Sequence, residues 1–194
     1  MVRLASVDIA KMLEMGVVGV NPAPTEDRVG GCSLDLRLGY TFRVPTGPTP
    51  LYIDIADQED SSCSRLVTME EGEPFYLAPG KLVLGATLEA VSLPDYMVGV
   101  LDGRSSLARL GLLVHLTAHT VDPGWSGNIT LELLNVGKST LLLRPGMRVC
   151  AIGFELLTSR AVGYSDRKGS KYVNQRGPVE SRINREHRHK DYTH

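Results

Sequence analysis

Residues 122–135 have the sequence DPGWSGNITLELLN, in which a Pro-Gly turn is followed at once by an apolar segment rich in Leu, Ile and Thr. Proline fixes the φ angle of one turn residue and glycine supplies the next, so the pair favours a tight turn. Alternation along the strand that follows would place Glu132 on the same face as Thr130 and Leu134. This unit predicts β structure, and its pattern recurs along most of the chain.

Short apolar segments separated by turns extend on both sides of this unit. Further Pro-Gly pairs lie at Pro79-Gly80 and Pro145-Gly146. Many short strands with frequent turns are typical of an all-β sandwich or barrel of the jelly-roll kind, and nothing indicates a parallel sheet with crossover helices. We therefore expect an all-β fold with minor helices. The predicted strands are Ser33–Leu38, Tyr40–Val44, Leu51–Ile55, Pro74–Leu77, Leu82–Leu88, Met97–Leu101, Leu112–Leu116, Asn128–Leu134, Thr140–Leu143 and Val149–Leu156.

One helix is predicted near the start of the chain. Ser6 is a favourable N-cap, Ile9, Met12 and Leu13 fall on one helical face, and Gly16 can end the helix. Residues 1–183 are predicted to form a single domain. Residues 184–194 are highly charged with few apolar side chains, so we expect them to form a disordered tail.

Composition limits the class of protein. The chain has 194 residues, a formal net charge of −1, 42% hydrophobic residues and 22% charged residues. This balance gives no overall basic field, which argues against nucleic acid as a partner. No apolar run approaches the length of a membrane span, and the start of the chain lacks the apolar core of a signal peptide. Cys32, Cys63 and Cys150 form no CxxC pair, so we expect reduced thiols and a cytoplasmic protein.

Residues 102–111, with the sequence DGRSSLARLG, concentrate groups that can bind an anion. They bring Arg104, Ser105, Ser106 and Arg109 within one or two helical turns. Arginine forks and serine hydroxyls suit phosphate oxygens, and the flanking glycines allow a ligand to approach the backbone. A helix with a solvated charged face is the alternative explanation.

Glu132 lies in the middle of an otherwise apolar predicted strand. A carboxylate in such a place must pair with a cation, bind a ligand or lose its charge. Two interpretations fit the sequence about equally well. One is a structural Glu–Arg pair, and the other is a carboxylate whose pKa is tuned for proton transfer.

A polar segment near the end of the chain contains Tyr164, Lys171, Tyr172, Asn174 and Gln175. Such residue types are by default ordinary surface residues. The same segment could instead be a flexible arm that closes over a ligand.

Several of these segments together resemble one family. Residues 102–111 resemble the DGRSSLARLG signature of dCTP deaminases, residues 117–127 resemble their TAHxxDPGWSG segment, and Thr130–Asn135 resembles the strand that carries their catalytic glutamate. Other similar motifs, collinear from about Arg3 to Ile183, are Asn21-Pro22, Ser33–Gly39, Pro79-Gly80, Arg144–Met147 and Lys171–Gln175. The resemblance implies a dUTPase-like fold, a distorted jelly-roll-like β-barrel, assembled as a homotrimer with sites between subunits.

The resemblance also implies a reaction, the hydrolytic deamination of dCTP to dUTP and ammonia, which supplies dUTP for dUMP and thymidylate synthesis. Glu132 would be the general base and acid, taking a proton from the water that attacks C4 of cytosine and delivering a proton to the leaving ammonia. Ser105 and the backbone carbonyl of Ala118 would hold that water. Arg109 would orient the carboxylate and help to set its charge.

The substrate contacts implied by the resemblance come from the DGRSSLARLG segment, the Pro-Gly turn, the strand and the arm. They are Arg104, Ser105 and Ser106 with Lys171 and Gln175 at the triphosphate, Leu107, Ala108 and Arg109 elsewhere in the substrate site, Asp122 at the deoxyribose 3′-hydroxyl, Trp125 and Tyr164 around the sugar and base, and the main chain of Thr130, Leu131 and Glu132 at the pyrimidine edge. Mg²⁺ would accompany the triphosphate without a metal site of the protein itself. dTTP is a candidate inhibitor of the same pocket.

Three other functions stay open. A bifunctional relative would go on to release dUMP and pyrophosphate, but such relatives usually carry Gly where this chain has His119. A plain dUTPase usually lacks a carboxylate at the Glu132 position, and a non-catalytic nucleotide-binding relative could use the same scaffold.

Zinc-dependent deaminases need an H/C-x-E and a P-C-x-x-C motif, which this chain lacks. The predicted chemistry therefore depends on a carboxylate and positioned donors, without zinc.

Overall fold

The computed structural model describes residues 2–47, 53 and 64–183 of the chain. No helix in these ranges is long and apolar enough to cross a membrane. The helical elements are α1 (Ser6–Glu14), a 3₁₀ turn (Glu26–Arg28) and α2 (Ser105–Ala108). The strands are β1 (Val2–Arg3), β2 (Gly19–Asn21), β3 (Leu34–Arg37), β4 (Thr41–Pro45), β5 (Ser64–Thr68), β6 (Phe75–Leu77), β7 (Leu82–Ser92), β8 (Met97–Gly103), β9 (Leu112–Leu113), β10 (Thr120–Val121), β11 (Ser126–Asn135), β12 (Leu141–Leu143) and β13 (Arg148–Leu156).

Two antiparallel sheets form the body of the described chain. The first has the order β1-β13-β8-β10, with β3 also paired to β13, and the second has the order β5-β4-β7-β11-β9, with β2 also paired to β7. Strands β6 and β12 form a separate two-stranded ribbon. Leu36 and Ile152 from the first sheet and Leu131 from the second belong to one buried hydrophobic core. The predicted all-β, jelly-roll-like class with minor helices is therefore confirmed, whereas the homotrimer stays a prediction.

Helix α1 confirms the predicted amphipathic face but not the predicted cap. Ile9 is buried, and Met12 and Leu13 pack against the core. The helix begins at Ser6 itself, and no side chain caps its first turn, so the prediction of Ser6 as N-cap is wrong by one residue. One tertiary hydrogen bond holds this end: the Ser6 N–H donates to the Gly31 carbonyl at 2.9 Å.

The predicted strands are present wherever they fall on described residues. The predicted strand Leu51–Ile55 lies almost wholly outside them, as do the predicted tail residues 184–194. The segment Leu112–Leu116 is a strand only as far as Leu113. The short strands β1, β2, β5 and β10 are not predicted by the sequence pattern. Strands β1, β2 and β10 form on the longer strands β13, β7 and β8, and β5 pairs with β4.

Strand β11 shows the alternation that residues 122–135 predicted. Ile129, Leu131 and Leu133 are buried, while Thr130 and Glu132 lie half-buried on the opposite face. Since successive side chains of a strand point to opposite faces, the buried set fixes Glu132 on the outer side of the core. The prediction that Glu132 and Thr130 share a face is confirmed.

A β-bulge interrupts the pairing of β11 with β7 between Asn128 and Thr130. The backbone groups left without a ladder partner are satisfied by side chains. The Asn128 amide Nδ2 donates to the Thr87 carbonyl at 3.0 Å, and the Ile129 N–H donates to the Thr87 hydroxyl at 2.9 Å. Bulges redirect neighbouring side chains, and this one lies directly before Thr130 and Glu132.

A buried ion cluster joins β3 and the 3₁₀ turn to β7. Glu89 is fully buried and accepts hydrogen bonds from Arg28 and from the Arg37 Nε, the latter at 2.7 Å. Its second carboxylate oxygen accepts from the Arg37 backbone N–H at 2.8 Å. A buried carboxylate requires such partners. Glu89 lies just beyond the predicted strand Leu82–Leu88, whereas β7 continues to Ser92, so the sequence pattern does not predict this cluster.

Candidate active site

A cavity of about 480 Å³ lies beside the outer face of β11. This volume falls within the range of small-molecule sites. Its walls come from residues 118–125, which include β10, from β11, from one residue each of β7 and β8, and from residues 163–183, which we call the arm. Of the predicted site residues, the cavity is lined by Ala118, Asp122, Trp125, Thr130, Glu132, Tyr164 and Gln175. The other lining residues are Leu84, Leu101, His119, Thr120, Val121, Ile129, Tyr172, Val179 and Ser181.

Glu132 is the acidic group on the β11 wall of this cavity. One carboxylate oxygen accepts a hydrogen bond from the Leu116 backbone N–H at 3.3 Å. Burial raises the pKa of Glu132 above its ordinary value, although the Leu116 N–H and the nearby His115 ring pull the pKa of the same group down. Among the described residues of one chain, no arginine forms an ion pair with Glu132. The described part of a single chain therefore does not contain the structural Glu–Arg pair.

The Pro123-Gly124 turn brings an aromatic wall to the cavity. Gly124 has φ +71°, and a Cβ at that position would lie 2.7 Å from the Gly163 Cα, so a side chain there would collide with the arm. The close approach lets the Tyr164 N–H donate to the Pro123 carbonyl at 2.7 Å. The Trp125 and Tyr164 rings then pack with their centroids 5.2 Å apart. Both predicted aromatic residues thus lie together at the cavity.

Gln175 fastens the arm to the start of β11. Its amide Nε2 donates to the Thr130 hydroxyl at 2.6 Å and to the Asn128 carbonyl at 3.0 Å. Its backbone lies so close to Gly127 that a Cβ on that glycine would be 2.5 Å from the Gln175 carbonyl oxygen. In this arrangement the Gln175 amide donors are used within the chain, and the residue holds the arm against the cavity.

The Asp122 carboxylate lines the cavity and is paired with an arm residue. Its Oδ2 lies 2.6 Å from the Arg167 Nη2. The Arg167 guanidinium also lies over the Tyr164 ring, 5.3 Å from its centroid. Asp122 is therefore held from one side by the arm while it faces the cavity.

Residues Arg104–Arg109 do not line the cavity within one chain. Arg104 is directed elsewhere, with its guanidinium 3.4 Å from the Asp35 carboxylate and 3.5 Å from the Arg148 carbonyl that it contacts. Ser105, Ser106, Ala108 and Arg109 are exposed on α2 and its end, and Leu107 packs in part against the core. The site predicted from sequence is therefore divided in a single chain, with α2 outside the cavity that Glu132 lines.

Two further predicted residues lie apart from the cavity wall. The Leu131 side chain is fully buried in the core, so that only its main chain is available to a ligand. Lys171 is half-buried in the arm, and its carbonyl accepts a hydrogen bond from the Arg182 guanidinium.

Arg167, Val179 and Ser181 lie at the site although no motif in the sequence predicts them there. Arg167 is one of several charged residues in the arm, and only the turn at Gly163–Tyr164 brings it to Asp122. His119 lines the cavity directly, and its ring centroid lies 5.8 Å from that of His115. In the sequence, His119 is notable only because bifunctional relatives usually carry Gly at this position. No pattern in the sequence alone indicates which arm residues face inward.

The chain matches one family of known proteins over most of its length. A model of the dCTP deaminase-like family matches residues 3–157. The crystal structure of 2′-deoxycytidine 5′-triphosphate deaminase from Agrobacterium tumefaciens is similar with a TM-score of 0.63 and 21% identity, over 79% of this chain and 47% of that one. The chain thus spans about half the length of that relative, and at this identity the likeness concerns the fold.

Two dUTPases match more weakly. The native EIAV dUTPase has a TM-score of 0.41 and 17% identity, over 67% of this chain and 91% of that one. A point mutant of the Staphylococcus bacteriophage 80alpha dUTPase, solved with dUpNHpp, has a TM-score of 0.49 and 13% identity, over 74% of this chain and 92% of that one.

Proposed function

The chain belongs to the dCTP deaminase-like family, and from this premise we propose that it hydrolyses dCTP to dUTP and ammonia. The observation that carries the proposal is Glu132, a half-buried carboxylate of raised pKa on a cavity wall, without an arginine partner in the described chain. A carboxylate whose pKa is raised is a stronger base than an ordinary glutamate, and it can accept a proton from water and return it.

The proposed chemistry is one addition and one elimination. Glu132 removes a proton from a water molecule as the water oxygen bonds to C4 of the cytosine ring. Glu132 passes this proton to N3 of the ring as the C4–N3 double bond becomes single. Glu132 then transfers the proton of the new hydroxyl to the amino nitrogen, the bond from C4 to that nitrogen breaks, ammonia leaves, and the remaining oxygen becomes the 4-carbonyl of dUTP. The backbone of Ala118, which lines the same cavity, would hold the water together with Ser105. General acid–base catalysis of this kind contributes about 10²–10⁴-fold, and orientation in the cavity would supply the rest.

The cavity wall suits a pyrimidine nucleotide. In the proposal, Trp125 and Tyr164 enclose the sugar and base, and Asp122 accepts a hydrogen bond from the 3′-hydroxyl. Main-chain groups of Thr130, Leu131 and Glu132 would contact the pyrimidine edge. The mostly apolar wall with a few polar groups is typical of sites that fix a ligand's orientation.

We propose that α2 of a neighbouring copy completes this site in a homotrimer. Within one chain Ser105, Ser106 and Arg109 are exposed and do not line the cavity, so their donors are available to a neighbouring copy. Arg104 would have to exchange its contact with Asp35 for one with the triphosphate. Arg104, Ser105 and Ser106 would then bind the triphosphate, and Arg109 would orient Glu132 across the interface. A closed ring of heterologous contacts gives each copy one such site.

Mg²⁺ would be bound with the triphosphate of dCTP. Among the described residues there is no group of three or more His, Cys, Asp or Glu placed to hold a metal ion. A magnesium ion carried by a nucleotide does not need such a group, because phosphate oxygens and water supply most of its ligands. In the proposal, the residues of the site would therefore act on this ion only through the triphosphate.

The direct test is to incubate the pure protein, freed of zinc, with dCTP and Mg²⁺ and to identify every product. Accumulation of dUTP with one ammonia per dUTP supports the proposal. Accumulation of dUMP and pyrophosphate would assign the bifunctional reaction, against which His119 at the cavity wall argues. Absence of ammonia from dCTP, with hydrolysis of dUTP, would indicate a dUTPase. Adding dTTP to the same assay tests whether it inhibits.

The rate should fall in acid at a higher pH than an ordinary glutamate would produce. The general base must be ionised, and burial raises the pKa of Glu132, so kcat at saturating dCTP should be lost as pH falls through that raised pKa. The triphosphate also titrates, so dCTP binding to a Glu132→Gln variant over the same pH range serves as the control. A flat kcat down to the pH at which the protein unfolds would contradict the assignment of Glu132 as base.

Replacing Lys171 with Ala should mainly weaken nucleotide binding. A charge-assisted contact to a phosphate supplies enough affinity that KM for dCTP should rise about tenfold or more, with kcat within about twofold. Lys168→Ala is the matched control, because Lys168 is an exposed lysine of the same arm with no proposed contact. A loss confined to kcat would argue against placing Lys171 at the triphosphate.

A further inference from the structure

The ion pair between Asp122 and Arg167 joins the cavity wall to the arm at one point. Asp122 lines the cavity, and the Arg167 Nη2 lies 2.6 Å from its Oδ2. The Arg167 guanidinium lies over the Tyr164 ring, and Tyr164 is held by Trp125 and by the Pro123 carbonyl. The Arg167 side chain is 53% exposed and that of Asp122 is 36% exposed, so the pair lies at the rim of the cavity beside the packed Tyr164 ring.

The chemistry of this pair restricts what part of a ligand it can meet. An ionised carboxylate only accepts hydrogen bonds, and one Asp122 oxygen already accepts from Arg167. A carboxylate facing a ligand cavity repels phosphate oxygens and favours a hydrogen-bond donor opposite it, and a nucleotide carries only uncharged donors near neutral pH. On a nucleotide, the uncharged donors outside the base are the sugar hydroxyls.

We propose that Arg167 is a positioning residue that holds Asp122 as a fixed acceptor for the sugar 3′-hydroxyl, and thereby makes the site select nucleotides that carry that hydroxyl. The inference rests on the proposed function, since it assumes a nucleotide in the cavity. Arg167 would act on the sugar only through Asp122. Because it belongs to the arm, the hydroxyl would be selected only while the arm lies against the cavity as it does here.

A matched pair of variants can test this role. Arg160 and Asp95 form a similar exposed pair, with Nη1–Oδ1 2.6 Å and the guanidinium over the Tyr96 ring at 5.2 Å, and neither residue lines the cavity. Arg160→Gln therefore removes an equivalent ion pair and cation–π contact at a different place. It should leave kcat/KM unchanged for every nucleotide.

The measurement compares dCTP with its 2′,3′-dideoxy analogue. In the unaltered protein, kcat/KM should be about tenfold to a hundredfold higher for dCTP, because a hydrogen bond to a charged acceptor contributes about that factor to affinity. In Arg167→Gln that preference should shrink to about threefold or less, because kcat/KM falls for dCTP and stays nearly constant for the analogue. Arg167→Lys, which keeps the charge, should retain part of the preference.

Binding measurements separate this inference from the proposed reaction. Dissociation constants of both nucleotides should be measured in the Glu132→Gln background, with and without Arg167→Gln. If dCTP binds with the preference described but is not deaminated by the unaltered protein, the proposed reaction fails and the role of Arg167 stands. If dCTP is deaminated but Arg167→Gln weakens both nucleotides equally, Arg167 contacts the phosphates or only the fold, and the inference is overturned.

Discussion

The Glu132→Gln variant should lose about 10²–10⁴-fold in kcat for dCTP deamination while its affinity for dCTP changes little. Glutamine keeps the shape of the side chain and can still accept from the Leu116 N–H, which is 3.3 Å away in the unaltered chain. It cannot take a proton from water at neutral pH. Rapid-quench turnover and nucleotide titration on the same preparation would separate the two effects, and full activity in the variant would exclude Glu132 as the base.

The same variant should not be less stable than the unaltered protein at neutral pH. Burial raises the pKa of Glu132 in the folded state above its value in the unfolded chain, so the ionised side chain opposes folding as pH rises through that pKa. Glutamine removes this cost. The thermal midpoint of the variant should therefore equal or exceed that of the unaltered protein at neutral pH, and the difference should shrink in acid, where the carboxyl is protonated. A large loss of stability would show that the carboxylate is mainly structural.

Local patterns in the sequence predicted most of the fold. Strand β11 alternates buried and half-buried residues, as the sequence of residues 122–135 predicts. Gly80, Gly124 and Gly146 all have positive φ in the Pro-Gly turns. These features depend on neighbours in sequence. Strands such as β1 and β10, each of two residues, depend instead on pairing with β13 and β8, so no local pattern marks them.

The candidate site was predicted in part for the same reason. Trp125, Thr130 and Glu132 come together because one turn and one strand carry them. The contact between Asp122 and Arg167 spans 45 residues and depends on where the arm docks, which the charge of the arm does not specify. The resemblance to dCTP deaminases supplied roles for α2 that a single chain does not test, because in one copy α2 lies outside the cavity.

The Arg109→Ala variant should lose about 10²–10³-fold in kcat, since it removes the proposed electrostatic partner of the reacting carboxylate. KM should change much less, because the interaction acts on Glu132 and not on the triphosphate. Arg109 is exposed and forms no ion pair with Glu132 within the described chain, so a role within one copy would give no such loss. Steady-state kinetics with dCTP would measure both parameters.

Mixing two inactive variants decides whether Arg109 acts from a neighbouring copy. If each site takes Glu132 from one copy and Arg109 from the next, trimers reassembled from equal amounts of Arg109→Ala and Glu132→Gln chains should recover about a quarter of full activity. A chain carrying both substitutions, mixed equally with the unaltered chain, is the control: it should also leave about a quarter for a shared site, against about half for a site within one chain. No recovery in the first mixture, with half the activity in the second, would place the whole site within a single copy, contrary to the assembly proposed from the exposed position of α2.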